Sequence, residues 1–212
     1  MRALIWDLGG TVLDTYPDVD RALATALDPH PGDELLHEVG LLTRVSSSHA
    51  ISTLSARHRV PEARLRAAYE STTQQWRVSP PPLMDGAREL LAAVRAQGGL
   101  NLVATHRERE SASALLDSLD LEVDDLVCAP DGYARKPDPE MVDVLLERHR
   151  LAPEDCLAVG DRPVDVAAAA AAGVRGVLLE TPGIALDAGD SRRVTSLREL
   201  HDQLTPAGPY GV

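Results

Sequence analysis

The chain contains no phenylalanine, and aromatic residues of all kinds supply only 3% of its 212 positions. Leu, Val, Ile and Ala must therefore fill the interior. Cysteine is confined to Cys128 and Cys156, neither of them in a CxxC pair, so no disulfide framework is expected. Two lone thiols beside apolar segments read as small buried hydrophobes. Positive charge is scarce as well: 21 Lys and Arg stand against 33 Asp and Glu, for a net charge of −12 and a pI near 4.9. Nucleic acid and membrane surfaces attract clustered cations, so both are excluded as partners. No apolar run approaches a membrane-spanning length. The amino terminus enters a strand pattern without the charged and apolar regions of a signal peptide, and the expected location is the cytoplasm. What remains, 44% hydrophobic and 25% charged, suits a soluble globular protein. Its length fits one core domain with a small insertion, expected as a monomer or weak homodimer.

Lysine is the rarest absence to interpret, because one remains. Lys136 is the only lysine, and it stands in Tyr133-Ala134-Arg135-Lys136-Pro137-Asp138-Pro139, just before a helical pattern. A compact, strongly hydrated ammonium in a chain that otherwise uses arginine points to a phosphate or carboxylate site. Three other polar clusters keep it company. Asp7-Leu8-Gly9-Gly10-Thr11 follows the apolar run Ala3 to Trp6, Thr105 closes the run from Leu100 to Ala104, and Gly160 to Asp165 follows Leu157 to Val159. Each cluster falls where a buried strand should end, and in an open parallel sheet the ligand crevice lies beyond those ends.

Between the first cluster and Pro80-Pro81-Pro82 the apolar spacing is helical, with Val19, Ala22, Leu23, Ala26 and Leu27 on one stripe. Leu35, Leu36, Val39 and Leu42 form a second, Ala50, Ile51 and Leu54 a third. Pro61 opens the fourth, marked by Leu65, Ala68, Tyr69, Thr72 and Trp76. The proline triplet ends this block and reads as a stiff hinge strand. Beyond it helices are predicted over 86–97, 109–119, 138–149, 163–172 and 196–204, with strands over 100–104, 125–128, 157–160 and 174–179. Such alternation means parallel strands with helical crossovers. The division expected is residues 1–15 and 79–212 as an α/β core and 16–78 as an α-helical insertion, with a frayed tail from Thr205 to Val212.

The ordered set Asp7 to Thr11, Thr105, Lys136 with Pro137, and Asp161 with Asp165 resembles the four motifs of the haloacid dehalogenase superfamily of phosphohydrolases, in the branch with a helical cap after the first motif. The match covers nearly the whole chain. The resemblance implies a Rossmann-like parallel sheet of order 3-2-1-4-5, which sets Asp7 and Asp161 on adjacent strands. It implies that Asp7 attacks phosphorus to form an aspartyl-phosphate, that Lys136 neutralises Asp7 and the phosphoryl oxygens, and that Thr105, His106 and Gly10 bind phosphate. It implies Mg²⁺ held by Asp7, the backbone carbonyl of Gly9, Asp161 and Asp165, in keeping with the preference of Mg²⁺ for hard oxygen ligands. The cap would cover the site and select the substrate, a small phosphorylated metabolite; its cations Arg44, Arg57, Arg64 and Arg77 are candidates for gripping an anion. Asp14, near the cap junction, is a weaker candidate to face the substrate.

Plain structural readings stand beside these roles. Asp7 could cap a glycine turn, Thr105 could cap the next helix, and Asp165 could complement a helix dipole. One position departs from the family pattern: Gly9 stands where the superfamily's phosphatases carry a second Asp that protonates the leaving oxygen and later activates water. Losing such an acid/base costs about 10²–10⁴-fold in rate. Slow turnover or a substrate with a good leaving group should follow, and His106 is a candidate for the missing proton transfer. The helical block contains no lysine for a Schiff base, which excludes a phosphonate-cleaving relative. A haloacid dehalogenase would carry Tyr at position 9 and leave Asp161 and Asp165 idle. The rival from another class is a non-catalytic or regulatory protein that binds a phosphorylated ligand on the same fold.

Overall fold

The computed structural model describes residues 1–205; residues 206–212, most of the tail expected to fray, lie outside the described residues. At the centre of a parallel sheet is β1 (Ala3–Trp6), whose four residues are all buried. A strand with no solvated face is written as an uninterrupted apolar run. Ala3 and Ile5 join a core that also takes Met141, Val142 and Leu145. Trp6 donates its indole N–H to Asn101 Oδ1 at 3.1 Å, and Asn101 Nδ2 donates to the carbonyl of Leu91 at 2.9 Å.

The chain divides into two compact units, Asp14–Pro82 and the remainder. The first contains α1 (Tyr16–Leu27), α2 (Asp33–Thr43), α3 (Ser47–His58) and α4 (Glu62–Gln75). Pro17 sits at the start of α1, and the Ser46 hydroxyl accepts from the His49 amide to cap α3. Val19, Leu23, Val39, Ala50, Ile51, Leu54 and Leu65 are buried, while Leu35, Leu36, Ala26 and Leu27 are only half-buried. Pro80–Pro82 form no strand; Pro82 contributes just its carbonyl, which accepts from the Asp14 amide at 2.8 Å. A proline triplet has no N–H to give a ladder, so the hinge strand expected there does not form.

The other unit contains α5 (Ala87–Ala96), β2 (Leu100–Thr105), α6 (Arg109–Ser118), β3 (Asp125–Cys128), α7 (Glu140–His149), β4 (Cys156–Gly160), α8 (Pro163–Ala171), β5 (Arg175–Leu179), β6 (Arg192–Val194) and α9 (Leu197–Leu204). Its sheet is wholly parallel in the order β3-β2-β1-β4-β5-β6. The first five positions follow the order that the family resemblance implies. The sixth strand was not expected, because Arg192-Arg193-Val194 is a three-residue edge with only Val194 buried and carries no apolar run. Trp6, the last residue of β1, lies level with Val103 on one side and Val159 on the other, so β2 and β4 run only two and one residues further before they too end. The alanine-rich α8 packs closely on β5: a Cβ at Gly176 would stand 3.0 Å from Val166 Cβ.

The buried link between Trp6 and Asn101 generates a stability prediction. Asn101→Leu keeps the number of heavy atoms and the branching but strands the indole N–H, and should lower unfolding free energy by about 1–3 kcal/mol. Urea unfolding should show an earlier midpoint with an unchanged slope.

Candidate active site

The site is built where β1, β2 and β4 stop. Asp7 is the first residue past β1, and its amide still pairs with the carbonyl of Val159 at 2.9 Å, which fixes the direction of its buried side chain. The chain then turns tightly: the amides of Val12 and Leu13 both donate to the carbonyl of Leu8, and Gly10 donates to Leu13. Gly10 has a φ of 91°, open in practice only to glycine, whereas Gly9 keeps a negative φ. The turn brings the Thr11 hydroxyl back to Asp161 Oδ1, at 2.8 Å.

Lys136 reaches the same place from the segment before α7. Its ammonium donates to Asp7 Oδ1 at 2.7 Å and to Asp165 Oδ1 at 2.8 Å, with all three side chains buried. Its main chain is anchored too, because the amide of Lys136 donates to His106 Nε2 at 2.9 Å. Asp165 is held from a second side by the Arg162 amide, at 3.0 Å. Gly160 makes that approach possible: a Cβ there would meet Asp165 Cβ at 2.3 Å. Each of Asp7, Asp161 and Asp165 offers one oxygen within 4.8 Å of the others.

Burial raises the Asp7 carboxyl above the usual carboxylate range, with Asp165 adding to the effect and Lys136 opposing it. Burial would also raise Asp165, but Lys136, Arg162 and the Arg162 amide outweigh it and hold that carboxyl low. Burial works against the Lys136 ammonium, yet the two carboxylates prevail and its pKa rises. The ammonium is thus fixed in its charged form. Three buried carboxylates around one ammonium leave negative charge over, and hard oxygen donors at this spacing fit a small divalent cation.

Other candidates fall elsewhere or are differently employed. Thr105 is buried at the end of β2, and its hydroxyl accepts from the Arg107 amide at 3.2 Å, so that amide is used locally. His106 is not set up as a proton relay. Its Nε2 lone pair is taken by the Lys136 amide, and burial first, then the charges of Lys136, Arg162 and Arg135, lower its pKa to about 3. In the helical unit, Arg44 is buried, pairs with Asp20 and lies 3.6 Å from the centre of the Tyr16 ring. Arg57 pairs with Glu38 at 3.0 Å, and Arg64 is exposed. Asp14 is partly buried, and burial raises its pKa against the opposing charge of Arg44. Cys128 and Cys156 are free and buried, and burial pushes the Cys128 thiol up to about 11. Sequence reasoning gave no role to the Thr11 hydroxyl, to Arg162 or to the His106 anchor. The order of residues along the chain carries no sign of which side chain will bond to which partner.

A family profile described as haloacid dehalogenase-like hydrolase matches residues 1–173. A phosphoglycolate phosphatase from Rhodospirillum rubrum is 32% identical over 193 residues, covering 84% of this chain and 79% of its own length. An N-acetylmuramic acid 6-phosphate phosphatase from Pseudomonas putida is 30% identical over 188 residues, with 82% and 81% covered. A crystal structure of a HAD family hydrolase from Deinococcus radiodurans, with bound phosphate and sodium, shares the fold at a TM-score of 0.79 and 22% identity, covering 96% of this chain and 95% of that one.

The His106 contact sets a pH prediction. A histidine whose folded pKa lies below its unfolded value of 6.5 protonates on unfolding, so it lowers stability as pH falls from 6.5 toward about 3. Imidazole nitrogen NMR shifts should show a neutral ring with Nε2 unprotonated throughout that range.

Proposed function

The chain belongs to the haloacid dehalogenase-like hydrolases, and from that membership and the site geometry we propose a Mg²⁺-dependent phosphohydrolase that carries the phosphoryl group on Asp7. The observation that supports this best is the Lys136 ammonium bridging Asp7 and Asp165, at 2.7 and 2.8 Å, beside the third carboxylate of Asp161. An oxygen of Asp7 bonds to phosphorus as the bond to the leaving oxygen breaks, and the bonding pair departs on that oxygen. Water then takes the phosphoryl group from Asp7 and releases orthophosphate. Lys136 favours the ionised form of Asp7 against its burial and faces the charge that gathers on the phosphoryl oxygens. Thr105, whose hydroxyl accepts from Arg107, still has its own proton to give a phosphoryl oxygen, and the main chain of His106 would complete the cradle, whereas the Gly10 amide expected there is committed to the Leu13 carbonyl.

Asp7, Asp161, Asp165 and the carbonyl of Gly9 would hold Mg²⁺. Bound there, the ion supplies Lewis-acid neutralisation of phosphoryl charge. Thr11 orients Asp161 for that role by its 2.8 Å bond. The substrate class is a small phosphorylated metabolite, as the names of the two curated relatives suggest. The helical unit Asp14–Pro82 serves as the selecting cap.

Gly9 sets the rate. With no carboxylic acid at that position and His106 engaged elsewhere, the leaving oxygen must depart as an anion or take its proton from solvent. Turnover of alkyl monoesters is therefore slow, and acyl or aryl phosphates react faster. The same residue is the specific observation behind a second reading, a phospho-ligand-binding protein without turnover. Asp7→Asn should abolish Mg²⁺-dependent phosphate release from an acyl phosphate, whereas tight binding with no release by the unaltered chain would favour the binder. Gly9 is not among the positive-φ glycines, and Gly9→Asp should raise hydrolysis of alkyl monoesters by about 10²–10⁴-fold; a flat response would reject the missing acid as the limiting defect. Thr11→Val should weaken Mg²⁺ binding about 10–100-fold, read by calorimetry independently of turnover.

A further inference from the structure

Each time water attacks a phosphorus atom a proton has to leave, and the residues built around Asp7 are poorly suited to take one. The Lys136 ammonium donates to Asp7 and Asp165, at 2.7 and 2.8 Å, and an ammonium has no lone pair. Asp165 accepts at both oxygens, from Lys136 and from the Arg162 amide, and the Arg162 guanidinium keeps its protons. Asp161 Oδ1 accepts from the Thr11 hydroxyl at 2.8 Å. His106 has its Nε2 lone pair taken by the Lys136 amide, and burial with the surrounding cations lowers its pKa to about 3. Gly9 and Gly10 bring no side chain. Among the described residues that build the site, none is placed as a base of neutral range beside Asp7.

This lack does not weigh equally on every reaction that passes through Asp7. A leaving group that departs as a stable anion needs no acid, and by reversibility an attacking group that is already such an anion needs no base. A carboxylate meets both conditions. Water fails the second, because it must lose its proton to bulk solvent as it attacks.

Resting on the hydrolase reading above, we propose a further activity: transfer of the phosphoryl group from an acyl phosphate, by way of Asp7, to a second small carboxylate in preference to water. In the first step an Asp7 oxygen bonds to phosphorus as the donor's phosphorus–oxygen bond breaks, and the electron pair leaves on the donor's carboxylate. In the second an acceptor carboxylate oxygen bonds to phosphorus, and the pair of the Asp7–phosphorus bond returns to Asp7. No proton moves in either step. Donor, aspartyl-phosphate and product are all mixed anhydrides of a carboxylic and a phosphoric acid, so each step exchanges one bond for another of the same kind and runs close to thermoneutral.

The test gives the unaltered chain, in Mg²⁺, acetyl phosphate together with carbon-labelled acetate, and reads two rates against a protein-free control: label incorporated into acetyl phosphate, and orthophosphate released. At saturating acetate, incorporation should exceed release by about 10²–10⁴-fold, the factor that an absent base withholds from water alone. Raising acetate should slow release, since both acceptors draw on one aspartyl-phosphate, and Asp7→Asn should abolish both rates. Gly9→Asp, by supplying a carboxyl beside Asp7, should move the ratio toward release; if that variant does not fold, the ratio in the unaltered chain decides alone. Release that matches or exceeds incorporation in the unaltered chain would overturn the proposal and leave the hydrolase reading standing. Incorporation with no release at all would uphold the transfer and remove hydrolysis, and a chain that shows neither would overturn both.

Discussion

One ammonium shared between two buried carboxylates is the interaction on which the site depends. Lys136, Asp7 and Asp165 are all shielded from water, and desolvating three charges costs several kcal/mol for each of them unless the geometry compensates. Here the compensation is spread over the fold. The amide of Lys136 is fixed by His106, Asp165 is fixed by the amide of Arg162, and Asp7 is fixed by its pairing to Val159. The three side chains come from the residue just past β1 and from segments preceding α7 and within α8, so the strands that carry them must be in place before the charges can meet. A residual negative charge is then built into the end of the sheet, and it is this surplus that makes the place suitable for a cation.

Adjacent glycines in the first loop illustrate two separate constraints. Gly10 is required by the backbone, since its φ of 91° would strain any side chain. Gly9 is not among the positive-φ glycines, so the left-handed backbone that demands glycine at position 10 is not what places one at position 9. Gly160 belongs to a third kind. Its backbone is ordinary, but Asp165 fills the space a Cβ would need.

Much of this was legible in the sequence. The strands from Ala3, Leu100, Asp125, Cys156 and Arg175 are buried on both faces, and that burial writes itself as short apolar runs. The polar residues that follow the runs could be assembled at one end of a sheet once parallel order was inferred. What could not be read was the wiring. The Thr11 bond to Asp161 and the His106 bond to the Lys136 amide depend on loop paths, and no spacing rule encodes them. Likewise β6 escaped notice because an edge strand needs only one buried residue, and Pro80–Pro82 suggested a stiff hinge strand that the structure does not form.

The solitary lysine has a practical side. Because its side-chain amine is buried and clasped by two carboxylates, amine-reactive reagents meet nothing but the terminal amino group while this chain is folded. Opening of the fold uncovers one new amine at one known position. Mass spectrometric labelling at that position is thus a direct counter of excursions from the native state, furnished by the protein's own composition.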